Sequence, residues 1–279
     1  MNIDCIIYSK DRTLQLDLLI RSLKKNFKNL GMIWVMYDYS NDSFRKSFEK
    51  ISDQDNVNFI KQDPSTFATI LKDLVTNRIS TEFVLPLCDD DFMPIETDLS
   101  EAVKSMIDDV CGINLRYHPK LCINYHTGDR FDPPTYEDRP FPTWAWETAG
   151  PPFRTSWSYP YQAGCQLYRR SEFADLVNNT SFILPNSLET AIGGYAWSNW
   201  KHKTMLMSMH DQHIINISIN KVQNENGNRG GRDIHYSVGQ LNEVYESGRE
   251  IDLEYCECYC ESNFYCDFIE MPLEFKDRI

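Results

Sequence analysis

Between residues 3 and 116, short apolar runs alternate with stretches of helical periodicity, and few architectures accept that order. Residues 3–8 (IDCIIY), 33–37 (IWVMY), 57–61 (VNFIK), 82–87 (EFVLPL) and 111–116 (CGINLR) read as strands. Each is short, apolar and bounded by polar residues, the pattern of a strand covered on both faces. Between the first two, Leu16, Leu19, Ile20, Leu23 and Phe27 recur at helical spacing, with Asp11 placed to cap the helix and Gly31 to close it. A short helix is expected near 43–50. Phe67, Ile70, Leu71, Leu74 and Val75 mark one face of another, and a further helix is expected near 97–108. Strand–helix alternation of this kind builds a mostly parallel sheet flanked by helices, an α/β fold with right-handed crossovers.

Such sheets bind ligands beyond the carboxyl ends of their strands. Three polar patches fall there: Ser9 to Arg12, Asp38 to Asp42, and Asp89 to Asp91. The last ends the run FVLPLCDDDFMP (83–94), where a buried strand drives into three consecutive carboxylates. Like charges so placed are costly unless a positive charge meets them. Oxygen ligands at a strand end suit a hard cation, Mg²⁺ or Mn²⁺, which would make Asp89, Asp90 and Asp91 metal ligands. A solvated acidic turn is the plain alternative.

The formal net charge of −13 argues against electrostatic binding to nucleic acid or an anionic membrane, though not against a local phosphate pocket. The N-terminal run MNIDCIIYSKDR carries a charge within its first four residues and does not read as a signal peptide. No stretch reaches the ~18 apolar residues of a membrane span. Nine scattered cysteines fit a reducing compartment, so a cytoplasmic location is expected.

Past residue 116 the pattern changes. Residues 126–162 are rich in Pro, Trp, Tyr, Asp and Arg without a period, and read as a functional loop region. Order returns with a strand and then a helix from about Ser171 in YQAGCQLYRRSEFADLV (161–177), and with a strand over 214–222 (IINISINKV). A polar, glycine-containing loop, QNENGNRGGRD (223–233), follows. Cys256, Cys258, Cys260 and Cys266 raise a zinc site, but C-x-C-x-C is not the paired C-x₂-C ribbon. A strand with three cysteines packed on one face is the favoured reading.

The chain resembles GT-A fold glycosyltransferases, most closely the family 2-like inverting type. IIYSKDR resembles the first strand and turn, which receive the nucleobase and implicate Tyr8, Ser9 and Arg12. VMYDYSND (35–42) resembles the strand ending in Asp-Asp-Gly-Ser-x-Asp, with Asp38 on the aspartate that contacts uracil; Tyr37 and Tyr39 depart from that pattern. FVLPLCDDDFMP resembles the strand of the DxD motif. Its register is open between the Asp89–Asp91 pair and one in which Cys88 takes the first position and Asp90 the metal, and Asp89 also falls in the nucleotide set. The resemblance divides the chain into a nucleotide-sugar half (1–116), an acceptor-binding half (117–240) and a C-terminal extension (241–279).

The resemblance implies a nucleotide-sugar donor, a UDP-sugar, a glycan or other hydroxyl acceptor, and inversion at the anomeric carbon. Inverting transfer needs a general base to take the acceptor's proton. In the family it lies near the start of a helix in the second half, where ILPNSLETAIGG (183–194) offers Glu189. An ordinary acid near a helix start is the alternative, and Asp175 and Glu172 are weaker candidates. Relatives often supply a late histidine near the diphosphate or metal, as His210 and His213 could, with His235 a further candidate. Arg229 and Arg232 could close over the diphosphate, or belong to an exposed loop. Trp144, Trp146 and Trp157 could stack on acceptor sugars, or pack inside their loop region. Rival functions are a sugar-phosphate nucleotidyltransferase, disfavoured by a first turn without glycine, and a non-catalytic domain that binds a nucleotide sugar or glycan.

Overall fold

The computed structural model describes residues 1–125, 128–148, 156–158, 160–222, 230–262 and 266–278. In chain order its elements are β1 (Ile3–Lys10), α1 (Thr13–Asn26), β2 (Leu30–Asp38), α2 (Asp42–Ile51), β3 (Val57–Lys61), α3 (Phe67–Asp73), β4 (Phe83–Cys88), β5 (Asp91–Phe92), α4 (Ser100–Lys104) and β6 (Val110–Asn114). There follow β7 (Glu137–Asp138), β8 (Pro142–Ala145), β9 (Gln166–Arg169), α5 (Arg170–Asn178), α6 (Pro185–Asn199), β10 (Met205–Ser208) and β11 (Ile215–Ile217). The chain ends with α7 (Val238–Glu246), β12 (Arg249–Ile251), α8 (Leu253–Glu261), β13 (Phe268–Ile269) and β14 (Phe275–Asp277).

The main sheet runs β3-β2-β1-β4-β9-β6-β10-β8-β7. The expected parallel order holds across β3, β2, β1 and β4, while β9 enters antiparallel to both β4 and β6. Because side chains alternate along a strand, each buried strand feeds two cores. Ile3, Cys5 and Ile7 of β1 join one core with Ile33, Val35, Leu85 and Leu87. Ile6 and Tyr8 join the other with Met36 and Val84. Helix α1 covers the first face with Leu16, Leu19, Ile20 and Leu23; α3, α5 and α6 cover the second.

The structure corrects several local readings. Asp11 does not cap α1, whose N-cap, Arg12, makes no side-chain capping bond. Asp11 instead adopts φ 57° and accepts from Ser40 N (2.7 Å) and Ser40 Oγ (2.5 Å), joining the turn after β1 to the turn after β2. The helix expected over 97–108 shrinks to α4, and the strand expected over 214–222 shrinks to β11. The C-terminal residues pack α7, β12 and α8 against α1, and β5 is sheeted with β11 and β13, so residues past 214 bear directly on the first half. No helix among the described residues is long and apolar enough to cross a membrane.

The cysteine strand is the clearest correction. Residues 253–261 are helix α8, capped by Asp252 through Glu254 N (2.9 Å) and Tyr255 N (3.2 Å). At helical spacing Cys256 and Cys260 share the core face, while Cys258 points to solvent. In the folded protein a water-soluble thiol reagent should therefore modify Cys258 and spare Cys256 and Cys260 until unfolding. Cys256→Ser should cost about 1–3 kcal/mol by urea titration, since it buries a hydroxyl, and Cys258→Ser should be close to neutral. Equal labelling of all three thiols in the native state would contradict the helix.

Candidate active site

Parallel pairing sets the carboxyl ends of β1, β2 and β4 on one edge: Lys10 lies opposite Asp38 and Tyr8 opposite Cys88. The three polar patches do converge. Asp38 is half-buried, with Lys10 Nζ at 3.7 Å and Lys61 Nζ at 3.9 Å, and Lys61 also lies 4.2 Å over the Tyr39 ring. Tyr8 turns away from this edge. Its ring packs edge-on against Phe67, and burial pushes its phenol above the ordinary range.

The three aspartates answer to protein donors at every oxygen. Asp89 Oδ2 accepts from Ser9 Oγ (2.9 Å) and Lys10 N (3.1 Å), and Asp89 Oδ1 accepts from Arg12 (2.9 Å). The same guanidinium nitrogen reaches Asp90 Oδ2 at 2.8 Å, and Asn216 Nδ2 donates to Asp90 Oδ1 at 2.8 Å. Asn216 also donates to Asp91 Oδ1 (3.0 Å), which accepts from Arg116 (3.2 Å), while Asp91 Oδ2 takes the Cys88 N–H (2.7 Å). Arg12 is steadied from behind by Asn220, through Oδ1 and the backbone carbonyl, each at 2.8 Å. Burial pushes Asp89 up to about 6, with Arg12 opposing and Asp90 adding to the rise. Burial likewise raises Asp91, against the pull of Arg116.

These contacts answer whether the residues present fit a divalent cation. As arranged, every carboxylate oxygen of Asp89, Asp90 and Asp91 already accepts at least one hydrogen bond from the protein. Among the described residues no group of three His, Cys, Asp or Glu stands ready to hold a metal. His213 bonds Thr97 Oγ1 (2.8 Å), and burial lowers it to about 4; His210 is exposed and meets Pro140 O at 3.0 Å. Neither joins the aspartates. As arranged, the protein's own donors compensate the three aspartates.

Glu189 sits in the second turn of α6, whose first turn is fixed by Pro185 and by Ser187 Oγ accepting from Leu184 N at 3.0 Å. Burial pushes its carboxyl up to about 7, against the Arg116 guanidinium and the Ala163 N–H, both of which favour the charge. Arg116 thus acts on both Asp91 and Glu189, and a cation–π contact with Phe268 (4.4 Å) holds it. The 163–165 turn lies close by: a β-carbon on Gly164 would stand 3.4 Å from Cys88 Sγ. Glu172 and Asp175 are engaged elsewhere, with Lys203 (2.6 Å) and Trp200 Nε1 (3.1 Å).

The tryptophans are not an acceptor platform. Trp144, Trp146 and Trp157 are 1%, 5% and 2% exposed, and the indole N–H groups of Trp144 and Trp146 donate to Trp157 O and Lys203 O, each at 3.0 Å. Arg229 lies outside the described residues. Arg232 is exposed, and the backbone N–H groups of residues 232–234 converge on Glu270 (3.1, 2.6 and 2.6 Å). Three site residues escaped the sequence reading: Arg116, Asn216 and Asn220. A signal existed for each. Arg116 ends the apolar run CGINLR, and Asn216, Ser218 and Asn220 alternate with isoleucines in INISIN.

No protein-family model matches the sequence, and no curated protein matches it. Among solved structures, TarS of S. aureus is similar over 77% of this chain and 36% of its own, at 14% identity and a TM-score of 0.50. A 1–349 piece of TarS in complex with UDP-GlcNAc is similar over 92% of this chain and 69% of its own, at 15% identity and a TM-score of 0.48. This chain therefore spans 36% of the length of the longer TarS chain. The shared architecture, a large mostly parallel sheet flanked by helices, is the GT-A fold.

A carboxylate raised by burial weakens the folded state where it must ionise. Between its unfolded value, 4.5, and about 7, the native Glu189 holds more proton than the unfolded chain, so its contribution falls as pH rises through that window. Glu189→Gln should therefore be more stable than the parent at pH 8, by about 1–3 kcal/mol, with the gap closing toward pH 5. Urea titrations across that range test this, and a gap independent of pH would refute it.

Proposed function

We propose that the chain is a glycosyltransferase that takes a sugar from a UDP-sugar and passes it to a hydroxyl acceptor, a glycan or similar, with inversion. One observation carries the reading. On a GT-A sheet, Glu189, a half-buried carboxylate raised to about 7, feels the charge of the same Arg116 guanidinium that bonds Asp91 of β5. A group of that affinity is matched to proton transfer near neutral pH.

The chemistry is a single displacement. Glu189 takes the proton of the acceptor hydroxyl as its oxygen attacks the anomeric carbon from the face opposite the diphosphate. The bond to the diphosphate breaks, and the nucleoside diphosphate leaves with the electron pair. Arg116 keeps the Glu189 anion within reach of neutral pH. Asp38, at the end of β2 and flanked by Lys10 and Lys61, accepts from the uracil N–H. Arg12 supplies the positive charge that meets Asp89 and Asp90, and no step is routed through a metal ion.

Two measurements test this. Initial rates should rise with pH through about 7 as Glu189 loses its proton. Glu189→Gln should lower kcat by about 10²–10⁴-fold while UDP binding persists. NMR of the product should show an inverted anomeric centre; retention would overturn the role of Glu189. Separately, Asp38→Ala should weaken UDP binding by about one to two powers of ten in a calorimetric titration, and unchanged affinity would remove Asp38 from the base-binding edge.

A further inference from the structure

We propose that Arg12 takes the place of a divalent cation at the aspartate cluster, so that the site is closed by an internal, permanent positive charge and binds its donor without Mn²⁺ or Mg²⁺. The turn after β1 makes this contact. Asp11, in a left-handed conformation and tied to Ser40, precedes Arg12 at the start of α1. Arg12 is 8% exposed, and one of its nitrogens bridges Asp89 (2.9 Å) and Asp90 (2.8 Å), two of the three expected metal ligands.

The chemistry of the donor set points the same way. A Mg²⁺ ion is held by one or two protein carboxylates at about 2.1 Å, together with substrate phosphates and water. To reach Asp89 or Asp90, an ion must displace, or share oxygens with, the Arg12 guanidinium, Asn216, Ser9 and the Lys10 N–H. Asp91 is closed further, by Cys88 N, Arg116 and Asn216. A guanidinium cannot be deprotonated at working pH to make room. An ion entering beside an undisplaced Arg12 would meet a like charge. Two guanidiniums against three carboxylates leave a single negative charge, so little Coulombic demand for a dication remains.

The test begins with the metal alone. Mn²⁺ is titrated into the full chain, and the free ion is followed by its paramagnetic resonance signal. The expected signal matches that of buffer, and with UDP present it matches that of UDP alone. A stoichiometric loss of free Mn²⁺ in either case overturns the proposal. Arg12→Ser opens one oxygen each on Asp89 and Asp90, and the folded variant should gain a Mn²⁺ site; a folded variant that still ignores Mn²⁺ overturns the role given to Arg12. Removing one partner of buried ion pairs can unfold a chain, in which case the parent protein's titrations decide. The donor arm rests on the transferase reading: calorimetric UDP affinity should agree in EDTA and in Mn²⁺ within about twofold, and a tenfold gain with Mn²⁺ would sink the proposal. If UDP binds under neither condition, the transferase reading fails, while the metal titration still decides the role of Arg12.

Discussion

Three carboxylates at one strand end, two of them buried, can persist only if positive charge and hydrogen-bond donors meet them, and the rest of the site is arranged around that demand. Arg12 arrives from the turn after β1, Arg116 from the end of β6, and Asn216 and Asn220 from the region of β11. Each donor belongs to a different stretch of chain. Compensating the aspartates therefore also locks the first half of the fold to the segment past residue 214. The small sheet of β13, β11 and β5 runs through the same place, since Asp91 belongs to β5.

Arg116 extends that compensation to the chemistry. It pairs with Asp91, and its charge also acts on Glu189. Without it, burial alone would raise Glu189 further and keep it protonated over more of the neutral range. With it, the carboxyl titrates at about 7, where a base can both hold and release a proton. The cost is a folded state less stable at alkaline pH, which under the proposed transferase reading is an exchange between stability and function.

Much of the first half was legible because each of its signals is local. The continuous apolar run of IDCIIY and helical spacing in Leu16, Leu19, Ile20 and Leu23 each need only a few neighbouring residues to be read. Two later stretches misled for the same reason. The spacing of Cys256, Cys258 and Cys260 suits a strand, yet Asp252 caps a helix there and only Cys256 and Cys260 face the core. Trp144, Trp146 and Trp157 sit in a stretch with no period, which read as a functional loop region and left stacking on acceptor sugars and packing inside the loop both open. Their burial comes from packing against Tyr117, Trp197 and one another, in contacts that span the chain.

The sequence by itself determined a mostly parallel sheet, with polar turns gathered at the carboxyl ends of β1, β2 and β4. Those follow from periodicity and from the direction of parallel strands, which are properties of short segments. Only the tertiary structure decided what meets the aspartates. Arg12 lies 77 residues from Asp89, and Asn216 lies 125 from Asp91. At such separations the side chain that fills the gap is chosen by how the layers pack, and a metal ion and a guanidinium are equally consistent with DDD in the sequence.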